Sequence, residues 1–257
     1  MRLFDTHCHL DFSPFSDDIT HHVNLAQQQA VVRLLIPSIG ASNWGTVDKL
    51  AKQHASIYYA LGVHPYFIDG QSLADLTTLE QRLTNRSEHC VAVGECGLDA
   101  MIEVDLALQE HLFVRQIELA QSFQLPLILH ARKTHNRLIQ LLKKHRFIHG
   151  GVLHGFSGSY QQAMQFVELG FYIGVGGVIT YPRANKTRLA IAQLPLDALV
   201  LETDSPDMPL MNEQGKPNHP QNLSKILREL ALLKNTSTQT IAENVWKNSN
   251  LAFNICE

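Results

Sequence analysis

Residues 1–11 read MRLFDTHCHLD, a short apolar run that ends in a His-Cys-His turn. A run of this kind is typical of a buried strand of an α/β protein. In an open, doubly wound sheet, a glycine-rich phosphate-binding loop usually follows the first strand, whereas residues 6–9 contain no glycine. The opening stretch therefore favours a closed barrel over an open sheet.

Seven further apolar, β-branched runs recur along the chain, with helical patterns between most neighbours. The predicted helices carry apolar residues at three- and four-residue spacing, as residues 106–120 illustrate. The eight predicted strands are residues 3–8, 31–36, 57–63, 90–95, 126–129, 151–153, 171–175 and 198–203. Eight strand–helix units in about 250 residues match a (β/α)8 TIM barrel and leave no room for a second domain. We expect an α/β fold with one barrel domain over residues 1–257.

Composition excludes several classes of protein. The chain has 257 residues, of which 45% are hydrophobic and 18% charged, as in ordinary globular proteins. Its 21 Lys and Arg residues against 24 Asp and Glu give a net charge of −3, so any contact with nucleic acid would have to be local. No apolar run approaches the roughly 18 residues of a membrane span. No obligatory protein partner is indicated, and the oligomeric state is left open.

The amino terminus and the cysteines indicate the compartment. The first nine residues include an aspartate and two histidines, so the apolar region of a signal peptide is absent. The four cysteines form no CxxC pair, which in a chain of this length is typical of reduced thiols. We expect a cytoplasmic protein without disulfides.

Polar residues that can bind metals end most of the predicted strands. Strand periodicity puts the side chains of His7 and His9 on the same side of the first strand. The residues that end the later strands are His64, Glu95, His130, His154 and Asp204. Any one of them could be a hydrogen-bonded structural residue. Seven together, at the carboxyl ends where barrel enzymes hold their active sites, predict a metal site at the mouth.

The donor types narrow the choice of metal. Mixed imidazole and carboxylate ligands are typical of zinc, manganese or iron rather than of a thiolate site. The candidate ligands are His7, His9, Glu95, His130, His154 and Asp204. Six ligands are too many for one tetrahedral ion but suit two ions bridged by a carboxylate, and Glu95 is our candidate for the bridge.

These residues lie in motifs that resemble a known family. The motifs are DTHCHLD, GVHP, VGECGLD, ILHAR, VLHGFSGS and ETDSPD, followed by the tail NSNLAFNI. Over the whole chain the sequence closely resembles the TatD family of metal-dependent hydrolases and deoxyribonucleases, within the amidohydrolase-like barrels, and it is most similar to the YjjV-like branch.

The resemblance implies a role for each strand-end residue. One ion would be held by His7, His9 and Asp204 and the other by His130 and His154, with Glu95 bridging them. The two divalent ions would be zinc, manganese or magnesium. His64 and Arg132 would bind substrate near the scissile phosphate, and Asp99 would support the ligands from behind.

The implied activity is hydrolysis of DNA, as single strands or at 3′ ends, by a metal-activated water. Glu95 and Asp204 would be the catalytic carboxylates, with Asp204 accepting the proton of the water. Members of the family often have a basic, Arg-containing stretch with an Asn-x-Pro element in the loop after the last strand. In this chain the loop reads PLMNEQGKPNHP at 209–220, which keeps Asn218 and Pro220 but offers only Lys216 as a positive charge. The sequence thus supports hydrolysis more strongly than it supports DNA as the substrate.

Other functions stay open. The same dinuclear site could hydrolyse small phosphoesters, or open an amide or cyclic amide as related barrels do. Many of those barrels bridge their metals with a modified lysine on the fourth strand, where this chain has Glu95. A binding protein that has lost catalysis is a further alternative, which the complete ligand set disfavours.

Overall fold

The eight strands form one parallel sheet whose order follows the chain. The computed structural model describes residues 1–256. The strands are β1 (Leu3–Asp5), β2 (Val31–Pro37), β3 (Ile57–Leu61), β4 (Cys90–Asp99), β5 (Leu127–Arg132), β6 (Gly151–Leu153), β7 (Phe171–Val175) and β8 (Leu199–Leu201). Each strand pairs in parallel with the next from β1 to β8. The predicted (β/α)8 architecture is confirmed.

Backbone hydrogen bonds between the two ends of the sheet close the barrel. The Thr6 amide donates to the Leu201 carbonyl at 3.0 Å, and the Asp204 amide donates to the His7 carbonyl at 2.8 Å. The His9 amide adds a bond of 2.7 Å to the Ser205 carbonyl. The first and last strand ends therefore lie side by side at the mouth.

Helices surround the sheet and follow the strands in alternation. Within residues 1–256 they are α1 (Ile19–Gln28), α2 (Ala41–Gln53), α3 (Ser72–Thr84), α4 (Leu106–Ser122), α5 (His135–Lys144), α6 (Tyr160–Val167), α7 (Asn185–Gln193), α8 (Leu223–Leu233) and α9 (Thr238–Ala252). None of these helices combines the length and the apolar character that crossing a bilayer requires.

Two apolar clusters make up the core. The larger one lies between strands and helices and includes Leu34, Trp44 and Phe113. The smaller one takes a residue from nearly every strand: Phe4, Leu35, Ala60, Ala92, Ile128, Val152 and Val200, with Tyr172 at its edge. Because these strands meet in it, the smaller cluster fills the barrel interior. Trp246 and Phe253 belong to it as well, so α9 and the residues after it cover the amino-terminal end.

Several strands end elsewhere than the apolar runs predict. The regular pairing of β1 stops at Asp5; beyond it the Thr6 and His9 amides donate to Leu201 and Ser205, while the Cys8 amide still donates to Leu35 of β2. In contrast, β4 runs four residues beyond its predicted end and pairs with β5 as far as Asp99 and Arg132. The β5 extension carries His130, which pairs with Gly97, whereas Glu95 lies where the β4–β5 register shifts and its amide donates to the Ser38 carbonyl at 3.0 Å.

Gly97 allows β4 and β5 to approach closely at this point. Its φ is +146°, and a Cβ added there would lie 2.0 Å from the His130 carbonyl oxygen. Other residues rarely adopt this conformation, and the clash is with backbone that cannot rotate away. A glycine is therefore required between the two strands.

We expect Gly97→Ala to lower the free energy of unfolding by about 2 kcal/mol or more, because it combines a strained φ with overpacking against backbone. Gly70→Ala is the control, since no atom lies within 4 Å of its added Cβ and its φ is not in the left-handed region. Urea denaturation of both variants measures the difference. Equal denaturation midpoints would contradict the prediction.

Candidate metal centre

All eight sequence-predicted site residues come together at the carboxyl end of the barrel. Two adjoining cavities of about 440 and 370 Å³ open there. His7 is fully buried beneath them. The other seven residues line the larger cavity: His9, His64, Glu95, His130, Arg132, His154 and Asp204. The strand-end pattern therefore predicted their convergence correctly.

Glu95 lies at the centre, and its two carboxylate oxygens face different histidines. Oε2 lies 3.0 Å from Nε2 of His7 and 3.9 Å from Nε2 of His9. Oε1 lies 2.7 Å from Nε2 of His154 and 3.1 Å from Nδ1 of His130. One carboxylate thus contacts two pairs of imidazoles through different oxygens, and the rings of His7 and His154 stack on each other at 3.9 Å.

Asp204 joins the group around Oε2. Its Oδ1 lies 3.5 Å from Nε2 of His7 and 4.0 Å from Nε2 of His9. The side chain is 16% exposed to the cavity, whereas that of Glu95 is 3% exposed. No hydrogen bond within residues 1–256 engages Asp204 Oδ2, so this oxygen is available to a ligand or to water.

Hydrogen bonds decide which nitrogen of His130 is free. Nε2 of His130 lies 3.1 Å from Oδ2 of Asp99, so Nε2–H donates to that carboxylate. The lone pair of the neutral ring is then on Nδ1, which faces Glu95. A carboxylate behind a histidine in this way is common at metal sites, because it orients the ring and raises its basicity.

His64 has the opposite arrangement. Its Nδ1 accepts a hydrogen bond of 3.1 Å from the Tyr66 amide, so the neutral ring carries its proton on Nε2. Nε2 lies 3.2 Å from Oε1 of Glu95 and points into the mouth. His64 therefore offers a proton where His130 offers a lone pair.

The remaining donor atoms fit a divalent metal. Nε2 of His7, which faces Glu95, is buried without a hydrogen-bond partner, and such atoms are rare in proteins unless something else engages them. Three sets of donor atoms lie within 4.8 Å of one another: His7, His9 and Glu95; His7, His154 and Glu202; and His64, Glu95 and His130. Imidazole and carboxylate donors of this kind suit zinc and manganese.

Burial and the neighbouring charges set the protonation of these groups. Burial lowers the pKa of His7 to about 3, so this ring is neutral, as a ligand must be. Burial alone would raise the pKa of Glu95, but His154, His64 and His7 hold it well below its usual range. For His154 burial is outweighed by Glu95, Asp204 and Glu202, which raise its pKa to about 10, so a metal ion bound by this ring would displace a proton from it.

Two glutamines of α4 hold the backbone of the mouth. The Gln116 side chain accepts from the Val63 amide at 2.7 Å and donates to the Val63 carbonyl at 3.2 Å. Gln109 does the same for Asp99, at 2.8 and 3.1 Å. Both glutamines are buried. They fix the backbone of Val63, which precedes His64, and of Asp99, whose carboxylate accepts from His130.

Neither these glutamines nor two buried carboxylates were expected from the sequence. Asp5 accepts from the Thr203 amide at 2.9 Å and from the Thr203 hydroxyl at 2.6 Å, which ties β1 to the strand end before Asp204. Glu202 accepts from the Gly155 amide at 2.5 Å, and its Oε2 has no hydrogen-bond partner. Burial raises the pKa of Glu202 to about 7 and that of Asp5 to about 8.

A signal for these residues was present in the sequence. Gln109 and Gln116 share the apolar face of α4 with Phe113 and Ile117, where a polar side chain needs a buried partner. Glu202 lies two residues before Asp204, so strand periodicity gives both side chains the same face.

Arg132 lies at the rim. It is exposed and lines both cavities. Within residues 1–256 no carboxylate lies within ion-pair distance of its guanidinium, so a salt bridge to the following helix is not formed. The guanidinium is free to bind an anion in the mouth.

Comparison with known proteins agrees with the motifs. Residues 4–254 match the family described as TatD related DNase. The chain is 45% identical over 255 residues to "Uncharacterized metal-dependent hydrolase YjjV" of Escherichia coli K12, covering 99% of this chain and 98% of the relative. It is 43% identical over 258 residues to an "Uncharacterized metal-dependent hydrolase" of Haemophilus influenzae, covering 97% and 98%. The crystal structure of the Escherichia coli K12 TatD homologue YjjV matches with a TM-score of 0.96 and 44% identity over 99% of each chain.

We expect Gln116→Leu to lower the free energy of unfolding by about 1–3 kcal/mol, because the buried amide and carbonyl of Val63 lose their partner. Gln81→Leu, at an exposed position of α3, is the control. Guanidinium denaturation followed by circular dichroism measures both variants. A loss no larger than that of Gln81→Leu would show that the two bonds are not important for stability.

Proposed function

Because the chain belongs to the family of TatD-related DNases, we propose that it is a metal-dependent hydrolase that cleaves phosphodiester bonds of DNA, in single strands or at 3′ ends. The observation that carries the proposal is the position of Glu95. Its two oxygens face two groups of imidazoles, as the bridge of a dinuclear centre requires.

The ligands divide between the two oxygens of Glu95. His7, His9 and Asp204 would hold one divalent ion and His130 and His154 the other, with Glu95 shared. Zinc, manganese and magnesium are the candidates. Bound there, two such ions would activate a water for attack and neutralise charge on the phosphate.

The chain's own groups complete the chemistry. Oδ2 of Asp204 faces the cavity without a hydrogen bond and accepts the proton of the attacking water. Nε2 of His64 carries the ring proton, because Nδ1 accepts from the Tyr66 amide. Nε2–H therefore donates to a phosphate or leaving-group oxygen rather than binding a metal. The Arg132 guanidinium binds phosphate oxygens through its forked N–H groups.

The charge distribution restricts how DNA is bound. A net charge of −3 provides no general attraction for a polyanion, so binding depends on the mouth itself. A cavity of about 440 Å³ is at the small end of ligand sites and admits a strand end more readily than a duplex.

The function is tested by incubating the protein with Mg²⁺, Mn²⁺, Zn²⁺ or Co²⁺ and three substrates: single-stranded DNA, a p-nitrophenyl phosphodiester and a cyclic amide. We expect metal-dependent release of nucleotides. Cleavage of the small ester alone would limit the function to small phosphoesters. Cleavage of the amide alone would show that the enzyme is an amidohydrolase.

Glu95→Gln and Asp204→Asn should each reduce kcat/KM on single-stranded DNA by at least about 100-fold, because each removes a charge from the reacting centre. Circular dichroism should show that the barrel is still folded. Glu80→Gln, an exposed carboxylate of α3, is the matched control. Activity within a few fold of the control in both variants would refute the assignment.

Metal binding is expected to stabilise the fold independently of activity. A divalent ion at about 100 times its Kd stabilises the native state by about 2.7 kcal/mol, which for a chain of this size raises Tm by about 5–10 °C. The Tm is measured by thermal denaturation of chelator-treated protein with and without added zinc or manganese. The shift should be absent in Glu95→Gln and present in Glu80→Gln, and a shift of equal size in both would place the metal elsewhere.

A further inference from the structure

One wall of the larger cavity is aromatic, and the proposed hydrolysis does not use it. Phe12, from the loop after β1, and Tyr66 and Phe67, from the turn after β3, line the cavity together with Glu95. We call these three side chains the aromatic wall. Tyr66 is 64% exposed and Phe67 is 43% exposed, although both are large and apolar. Exposed apolar side chains grouped beside a reactive centre are typical of a binding surface.

The aromatic wall is held by the same histidines that face the centre. A 3-10 helix at Pro65–Phe67 begins at His64, whose Nδ1 accepts from the Tyr66 amide. The Phe67 ring lies 5.7 Å from the His64 ring, and the Tyr66 ring lies edge-on to Phe67 at 5.2 Å. The wall therefore has a fixed distance from the carboxylate of Glu95.

Phe12, the third ring of the wall, is held by another histidine of the centre. Its ring stacks on the ring of His9 at 5.0 Å, with an angle of 12° between the two planes. Because His9 faces Glu95 Oε2, Phe12 is also fixed relative to the centre. A ligand in the cavity meets aromatic faces and edges from two loops.

The cavity also has a cationic side chain. The exposed Arg132 guanidinium lines it and also lines the neighbouring cavity, which Lys133 lines as well. Three carboxylates line the same cavity: Glu95 and Asp204 at the centre, and the exposed Asp207. The occupant that fits has an anionic group beside Arg132 and a flat, uncharged group on the aromatic wall.

We propose that the aromatic wall stacks on the base of the nucleotide whose phosphate is cleaved, so that the enzyme selects phosphodiesters that carry an unpaired nucleobase. This inference rests on the proposed phosphodiesterase function. Stacking on aromatic side chains tolerates any base, because every base has a π face. Bases in a duplex are stacked on each other and cannot reach the wall, which favours single strands.

The test compares two single-stranded oligomers of equal length, an oligothymidylate and an abasic oligomer with tetrahydrofuran in place of every nucleoside. Their phosphates are alike, so the ratio of their kcat/KM values measures the contribution of the base, whichever end is attacked. We expect the wild-type protein to prefer oligothymidylate by about tenfold or more, as base stacking on aromatic side chains usually contributes.

Three variants assign this preference to the wall. Phe67→Leu and Tyr66→Leu remove a ring but keep an apolar side chain, and each should reduce the preference mainly by raising KM for oligothymidylate. Phe67→Tyr keeps the ring and should keep the preference. Ile148→Ala is the control, since Ile148 is 79% exposed just before β6, at the opposite end of the barrel.

The outcomes separate this inference from the function on which it rests. Cleavage of both oligomers with equal efficiency, or an unchanged preference in the double variant Phe67→Leu/Tyr66→Leu, would overturn the stacking site and leave the phosphodiesterase function intact. Cleavage of neither oligomer with any of the four metals would contradict the phosphodiesterase function, and the stacking inference would fail with it.

Discussion

The carboxylate of Glu95 is a buried negative charge, and the mouth of the barrel is arranged around it. A charge removed from water is costly unless other groups compensate for it, and here imidazoles from four other strand ends surround it. Only a closed sheet brings these strand ends to one point. Closure through the bonds between β1 and β8 is therefore a condition for the centre as well as for the fold.

The residues that stabilise the backbone at the mouth of the barrel are the same ones that position the candidate ligands. Where strands separate at the mouth, backbone groups no longer pair with each other and need other partners. Gln116 and Gln109 provide them for Val63 and Asp99, and Asp5 provides them for Thr203. Each of these bonds fixes a residue next to a ligand or behind one. Stability and geometry at the mouth thus depend on a small set of buried polar side chains.

His64 and His130 show how the partner of a histidine decides its role. Both are histidines that follow apolar strands and face the same oxygen of Glu95. A backbone amide fixes the proton of His64 on Nε2, and Asp99 leaves the lone pair of His130 on Nδ1. The same cavity is lined by a guanidinium as well as by aromatic rings.

The order of strands, the barrel and the convergence of seven strand-end residues were predictable, because apolar runs and the residues that end them are local features of the sequence. The sequence did not predict that β4 extends to Asp99. It also did not predict the roles of Glu202 and of the two α4 glutamines, although these polar side chains lie at core-facing positions. By itself the sequence determined which donor types reach the mouth. Only the tertiary structure decided which nitrogen of His130 is free and how the donors are placed around Glu95, because the bond that occupies Nε2 of His130 comes from Asp99, 31 positions away.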